Sequence, residues 1–117
     1  MLDLEPRTSI ILKAIFRNHA PLAEVWAFGN RITSRAHASS DLHLVIRTPG
    51  ALDQPVSNLA DLQRAISKSS VPLFVDLHDW AAMPEAFQTK LEREHYIFLS
   101  PVPNMITTLR GQSLDEQ

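Results

Sequence analysis

Three short runs rich in strand formers, at residues 22–28, 41–47 and 71–80, alternate with stretches of helical periodicity. No pattern constrains the fold of this chain more tightly, because a strand buries one or two faces and needs helices or a second sheet to cover them. From Pro6 to His19, Ile10, Ile11, Ala14 and Ile15 recur at helical spacing, Pro6 suits a first turn, and Ala20-Pro21 stops the element. Leu22 to Phe28 is a strand that ends at Gly29, and Asn30 to Ala36 reads as a short helix. Asp41 to Arg47 is a second strand. Thr48 to Val56, with Pro49, Gly50 and Pro55, is a loop. Ser57 is placed to cap a helix whose Leu59, Leu62 and Ile66 form one stripe ending near Ser69. Val71 to Trp80 is a third strand, Pro84 opens a helix with Phe87 and Leu91 at i,i+4 spacing, and Tyr96 to Leu99 adds an edge strand. The expected class is α/β (α+β), a small mixed sheet of three to four strands with helices mainly on one face. Trp26, Phe28, Phe74, Trp80 and Phe87 are expected in its core.

With 117 residues and 44% hydrophobic content, the chain is expected to form one domain over residues 1–117, with a core at 8–99 and a C-terminal tail at 100–117. Lys and Arg total 11 against 13 Asp and Glu, a formal charge of -2. Without a basic stripe to track phosphates, long nucleic acid is not an expected partner. The absence of cysteine excludes disulfides, thiolate nucleophiles and zinc–thiolate sites. Neither a leader nor a membrane-spanning run is read in the chain, so the expected location is cytoplasmic.

Alternation along the second strand turns Asp41 and His43 to one face and Leu42, Leu44 and Ile46 to the other. On the third strand Asp76 and His78 share a face, opposite Val75 and Leu77. A carboxylate between Val75 and Leu77 is costly to bury alone, so a metal ion, His43 or an arginine is expected beside Asp76. The residues alone leave other readings open. Gly29 also fits an ordinary strand-ending turn, Asp41 a residue satisfying a turn, His43 a packed strand histidine, and Arg31 either a phosphate ligand or a solvated side chain. His78 and Asp79 equally fit an exposed strand end. His37 with Ser34 or Ser40 makes no convincing nucleophile–base pair.

The order Phe28-Gly29-Asn30, then Ser40-Asp41-Leu42-His43-Leu44, then Val75-Asp76-Leu77, resembles the minimal nucleotidyltransferase (MNT) family of the polymerase-beta-like superfamily. That pattern is Gly-Ser, a spacer, Ser-Asp-x-Asp-Leu, and an aspartate on a later strand. Gly29 matches the glycine, Arg31 an arginine common two positions later, and Ser40-Asp41-Leu42 the start of the acidic motif. Val75 to Trp80, followed by Pro84 to Phe87, is similar to the third motif and following helix of a bacterial subgroup, and the resemblance spans residues 8–99. It implies a nucleotidyltransferase-type fold in which Gly29, Asn30, Arg31 and Ser40 bind the nucleotide, and Asp41 and Asp76 are catalytic. A divalent metal, Mg²⁺ or Mn²⁺, would be held by Asp41, His43 and Asp76, with ATP or another NTP as substrate. In the family such proteins are often encoded beside a helical HEPN-domain partner, and the pair is similar to a toxin–antitoxin system in which the transferase adenylylates its partner.

The chain departs from the pattern at three positions. Asn30 replaces the serine, Ser34 a second glycine, and His43 the second aspartate. The last change exchanges an anionic oxygen ligand for an imidazole, which suits Zn²⁺, Ni²⁺ or Mn²⁺ better than Mg²⁺. Two functions follow as expectations. One is an antitoxin-type transferase moving AMP from ATP to a protein hydroxyl. The other is a catalytically impaired MNT fold acting as a nucleotide- or partner-binding regulatory subunit.

Overall fold

The computed structural model describes residues 2–32 and 41–101, and the backbone alone of Asn30. Helix α1 spans Pro6–His19, strand β1 Glu24–Phe28 and strand β2 Leu42–Arg47, followed by helix α2 at Leu59–Lys68, strand β3 at Val75–Asp79, helix α3 at Glu85–Arg93 and strand β4 at Tyr96–Leu99. Short 3-10 turns occupy Asn30–Ile32 and Trp80–Ala82. The strands form one sheet in the order β3-β2-β1-β4. β1 is antiparallel to both neighbours, whereas β2 and β3 run parallel, so the sheet is mixed as expected.

The two central strands are buried on both sides, and their alternation sorts the core into two layers. Val25 and Ala27 of β1, and Leu42, Leu44 and Ile46 of β2, meet Leu12 and Phe16 of α1 and Leu62 and Ile66 of α2. On the opposite face Trp26, Phe28 and Val45 pack with Trp80 and with Leu91 of α3, joined by Met83 and Phe87. Two helices thus cover one face and a single short helix part of the other. Arg47 closes the second layer: its guanidinium lies 4.1 Å from the Trp26 ring and 4.4 Å from the Trp80 ring, and Glu24 stands 3.6 Å away. Two aromatic faces and a carboxylate offset the cost of withdrawing that cation from water.

Several local expectations change. The buried stripe of α1 is Thr8, Leu12 and Phe16, while Ile10 is 69% exposed. This helix is apolar over more than one face, and the face that meets the sheet is the one carrying Phe16 and Leu12, whose burial is worth about 1.5–3 kcal/mol each. β3 starts at Val75 rather than Val71, because Pro72 has no amide to give a ladder. Phe74, expected in the core, is 65% exposed: it stands just before β3, the edge strand of the sheet. The N-cap of α2 is Asn58, not Ser57, and its side chain caps nothing; its Nδ2 donates instead to the His19 carbonyl at 2.7 Å, tying α2 to the end of α1. No helix among the described residues is long and apolar enough to cross a membrane.

Candidate functional site

β1 delivers Phe28 and then a backbone reversal. Gly29 has φ +87°, and a Cβ built there would lie 2.9 Å from Cδ2 of His43. Both the positive φ and the close approach require glycine. The 3-10 turn follows at once, with the Ile32 amide donating to the Gly29 carbonyl at 3.1 Å. Arg31, read as a phosphate ligand or a solvated side chain, is buried. Its Nη1 donates to the Asp3 carbonyl at 2.9 Å, and the Asp3 amide donates back to the Arg31 carbonyl at 2.7 Å. The guanidinium therefore holds the turn to the N-terminal segment from within.

β2 places His43 between two partners: directly opposite Phe28 on one side and Asp76 on the other. His43 Nδ1 donates to Asp76 Oδ2 at 3.0 Å, and His78 Nε2 donates to the same oxygen at 2.8 Å. An ionised carboxylate only accepts, so both bonds fix the protons on those nitrogens. Burial pushes the Asp76 carboxyl up, but the bonds and charges of His78 and His43 together outweigh it and hold the group below its ordinary value. Phe28 floors the cluster, with ring centroids 5.5 Å from His43 and 5.8 Å from His78. The ligand atoms of His43, Asp76 and His78 all lie within 4.8 Å of one another.

His43 and Asp76 thus meet beside Gly29. Asp41 stands exposed one residue before β2 and outside that group; among the described residues it makes no hydrogen bond or ion pair. Ser40 lies outside the described residues, as do Ser34 and His37. His78, read from sequence as an equally good exposed strand end, is the residue that joins the cluster. Its i+2 spacing from Asp76 was the available signal; the parallel register that brings β3 to His43 was not. Asp79 has a different task. Its Oδ2 accepts from the Val56 amide at 2.9 Å and its Oδ1 from the Ala81 amide at 3.3 Å, anchoring the loop before α2 and capping the turn at Trp80.

Chemically, the cluster offers two neutral nitrogen donors and one anionic oxygen. That set fits a divalent ion accepting nitrogen, and fits Mg²⁺, which favours oxygen ligands, poorly.

No protein-family profile matches the chain. It is 35% identical over 98 residues to a protein of Haemophilus influenzae named a probable protein adenylyltransferase, MntA, a match covering 82% of each chain. Its fold is similar to that of a solved structure described as the crystal structure of a toxin–antitoxin with AMP-PNP, with a TM-score of 0.63 over 86% of this chain and 77% of the other at 16% identity. The mixed sheet, the glycine turn against His43 and a relative at this level of identity lead to one conclusion: the chain belongs to the minimal nucleotidyltransferase family.

Proposed function

We propose that this protein is an antitoxin-type adenylyltransferase that moves AMP from ATP to a hydroxyl of a partner protein, a small helical HEPN-domain chain. The observation that carries this reading is that His43 lies against the Gly29 turn on one side and meets Asp76 on the other, in a chain 35% identical to a probable protein adenylyltransferase. Gly29, Asn30 and Arg31, with Ser40, receive the triphosphate through backbone amides and a hydroxyl, and the Arg31 side chain stiffens the turn from within. The acceptor oxygen forms a bond to the α-phosphorus as the bond to the β-phosphate oxygen breaks, and pyrophosphate leaves. Asp41, exposed and without a hydrogen bond among the described residues, takes the hydroxyl proton. Asp76 and His43 would hold a divalent ion, which would supply positive charge for the departing pyrophosphate. Purified protein incubated with α-labelled ATP, a divalent ion and the neighbouring helical protein should label that protein, and γ-labelled ATP should not. A blank with Mg²⁺, Mn²⁺ and Zn²⁺ alike would sink the reading.

A second reading, a regulatory subunit that binds nucleotide or partner without turnover, draws on one observation. Both imidazoles give their protons to Asp76, which leaves that carboxylate already partnered. His43→Asp separates the two: a gain of metal-dependent transfer over an inert wild type favours the regulatory subunit.

A further inference from the structure

We propose that His43, Asp76 and His78 form a two-histidine, one-carboxylate centre for a late first-row transition ion of the Zn²⁺ or Co²⁺ kind, and that His78 supplies the ligand that the acidic sequence pattern gives to Asp41. This deepens the reading above by naming the ion, yet the centre needs neither nucleotide nor partner to bind it.

The centre is built from two adjacent strands. Parallel pairing sets His43 level with Asp76, and the two-residue repeat of β3 returns His78 to the same face. The nitrogen–oxygen separations of 3.0 and 2.8 Å bring the three ligand atoms close enough to share one ion: bonds of about 2.0–2.1 Å, usual for zinc and imidazole, set neighbouring ligands of a tetrahedral shell about 3.3 Å apart, a few tenths of an ångström wider. To ligate, each imidazole moves its proton to the other ring nitrogen and turns the freed lone pair on the ion, so no net charge is created. His43 is hemmed in by the Phe28 ring and by Gly29, where a Cβ would lie 2.9 Å from its Cδ2. The three side chains are 34%, 37% and 39% exposed, leaving the ion open toward solvent and a phosphate oxygen. Two imidazoles and one carboxylate suit Zn²⁺, Co²⁺ and Ni²⁺, whereas Mg²⁺ would find one hard ligand in three.

The test uses the full, nucleotide-free chain titrated with Co²⁺, followed by visible absorption and calorimetry, with Zn²⁺ and Mg²⁺ as competitors. One Co²⁺ should bind per chain and develop ligand-field bands, Zn²⁺ should displace it, and the affinity for either should exceed that for Mg²⁺ by at least about 100-fold. His78→Gln keeps an amide donor for Asp76 but removes the imidazole. It should weaken Co²⁺ by more than the ~10–100-fold that loss of an outer-shell partner costs, and should change the spectrum. His43→Gln should do the same, with circular dichroism confirming that each variant is folded. His78→Ala gives a second check on the His78 ligand. His19→Ala removes a histidine far from the cluster, whose Nδ1 bonds the Ile15 carbonyl, and should change nothing. The proposal is overturned if Mg²⁺ displaces Co²⁺ at equal concentration, if folded His78→Gln and His78→Ala bind Co²⁺ like the wild type, or if His19→Ala weakens binding as much as they do. Adenylyl transfer with Mg²⁺ in a protein that binds no Co²⁺ or Zn²⁺ would remove this centre and leave the proposed function standing; tight Co²⁺ binding with no transfer would do the reverse.

Discussion

Gly29 is held by two independent constraints, a φ of +87° and the His43 ring 2.9 Å from where its Cβ would be. Gly29→Ala should therefore cost about 1–3 kcal/mol of stability, since backbone in the left-handed region is strained for a side chain and the ring must also move. In chemical denaturation Gly29→Ala/His43→Ala should be less destabilised than the sum of the single changes, because removing the ring leaves only the backbone strain; strict additivity would show that the two positions do not press on each other. Asp76 gives a second prediction at this scale. Its folded-state carboxyl lies below the ordinary 3.8 because the donors of His78 and His43 overcome burial, so the fold holds its anion more strongly than the unfolded chain does. That stabilisation is complete above the ordinary value and is lost as pH falls below 3.8 through the lowered one. Between about pH 7 and about pH 3 the wild type should lose more stability than Asp76→Asn, read as the difference in denaturation midpoints; parallel losses would refute the coupling. Sequence made Asp76 conspicuous because a carboxylate between Val75 and Leu77 demands a partner. It could not tell which one, since His43 and His78 reach it only through the pairing of β2 with β3. Arg31 was illegible for a related reason: its guanidinium donates to a backbone carbonyl at Asp3, and no side-chain pattern encodes that.

Elements were more legible than their ends. α1 and β4 fall where helical spacing, Pro6 and the run Tyr96 to Leu99 put them, because those signals are local. The burying face of α1 was not, because several apolar stripes compete on it and only the sheet chooses Leu12 and Phe16. The start of β3 follows from Pro72 once the ladder is known, and the exposure of Phe74 from its place just before an edge strand. Asp79 shows an element end being fixed from a distance. It lies at the last residue of β3 and satisfies two amides, Val56 in the loop before α2 and Ala81 in the turn after the strand. Asp79→Ala should cost about 1–3 kcal/mol, the usual penalty for leaving a partly buried donor without its acceptor. Hydrogen exchange should speed up at Val56 and Ala81 while the amides of β1 stay protected. Unchanged exchange at both positions would show that water replaces the carboxylate at no cost.

At the scale of the whole molecule, the sheet gives its two faces different duties. One is sealed by α1 and α2, and the other is sealed by aromatic side chains around Arg47 but left open over His43, Asp76 and His78. A site on an open sheet face beside a single glycine turn can hold a triphosphate, yet the described residues provide no second lobe to clamp an acceptor. A formal charge of -2 with no basic stripe gives no means of tracking a long polyanion. Under the proposed function the acceptor arrives on another chain and is oriented by that chain's own contacts, since holding two reactants in line supplies much of the rate advantage of such a transfer. The proposed function predicts a stable complex with a small helical partner protein. Co-expressed, the two should elute together in size-exclusion chromatography with light scattering, and the partner's intact mass should rise by one AMP when ATP and a suitable divalent ion are added. Asp41→Asn, which removes the proposed proton acceptor from an exposed position, should leave co-elution intact and abolish the mass increase. Recovery only as a free monomer while the neighbouring protein is present and folded would remove the partner from this account, and a mass increase undiminished in Asp41→Asn would move the proton to another group.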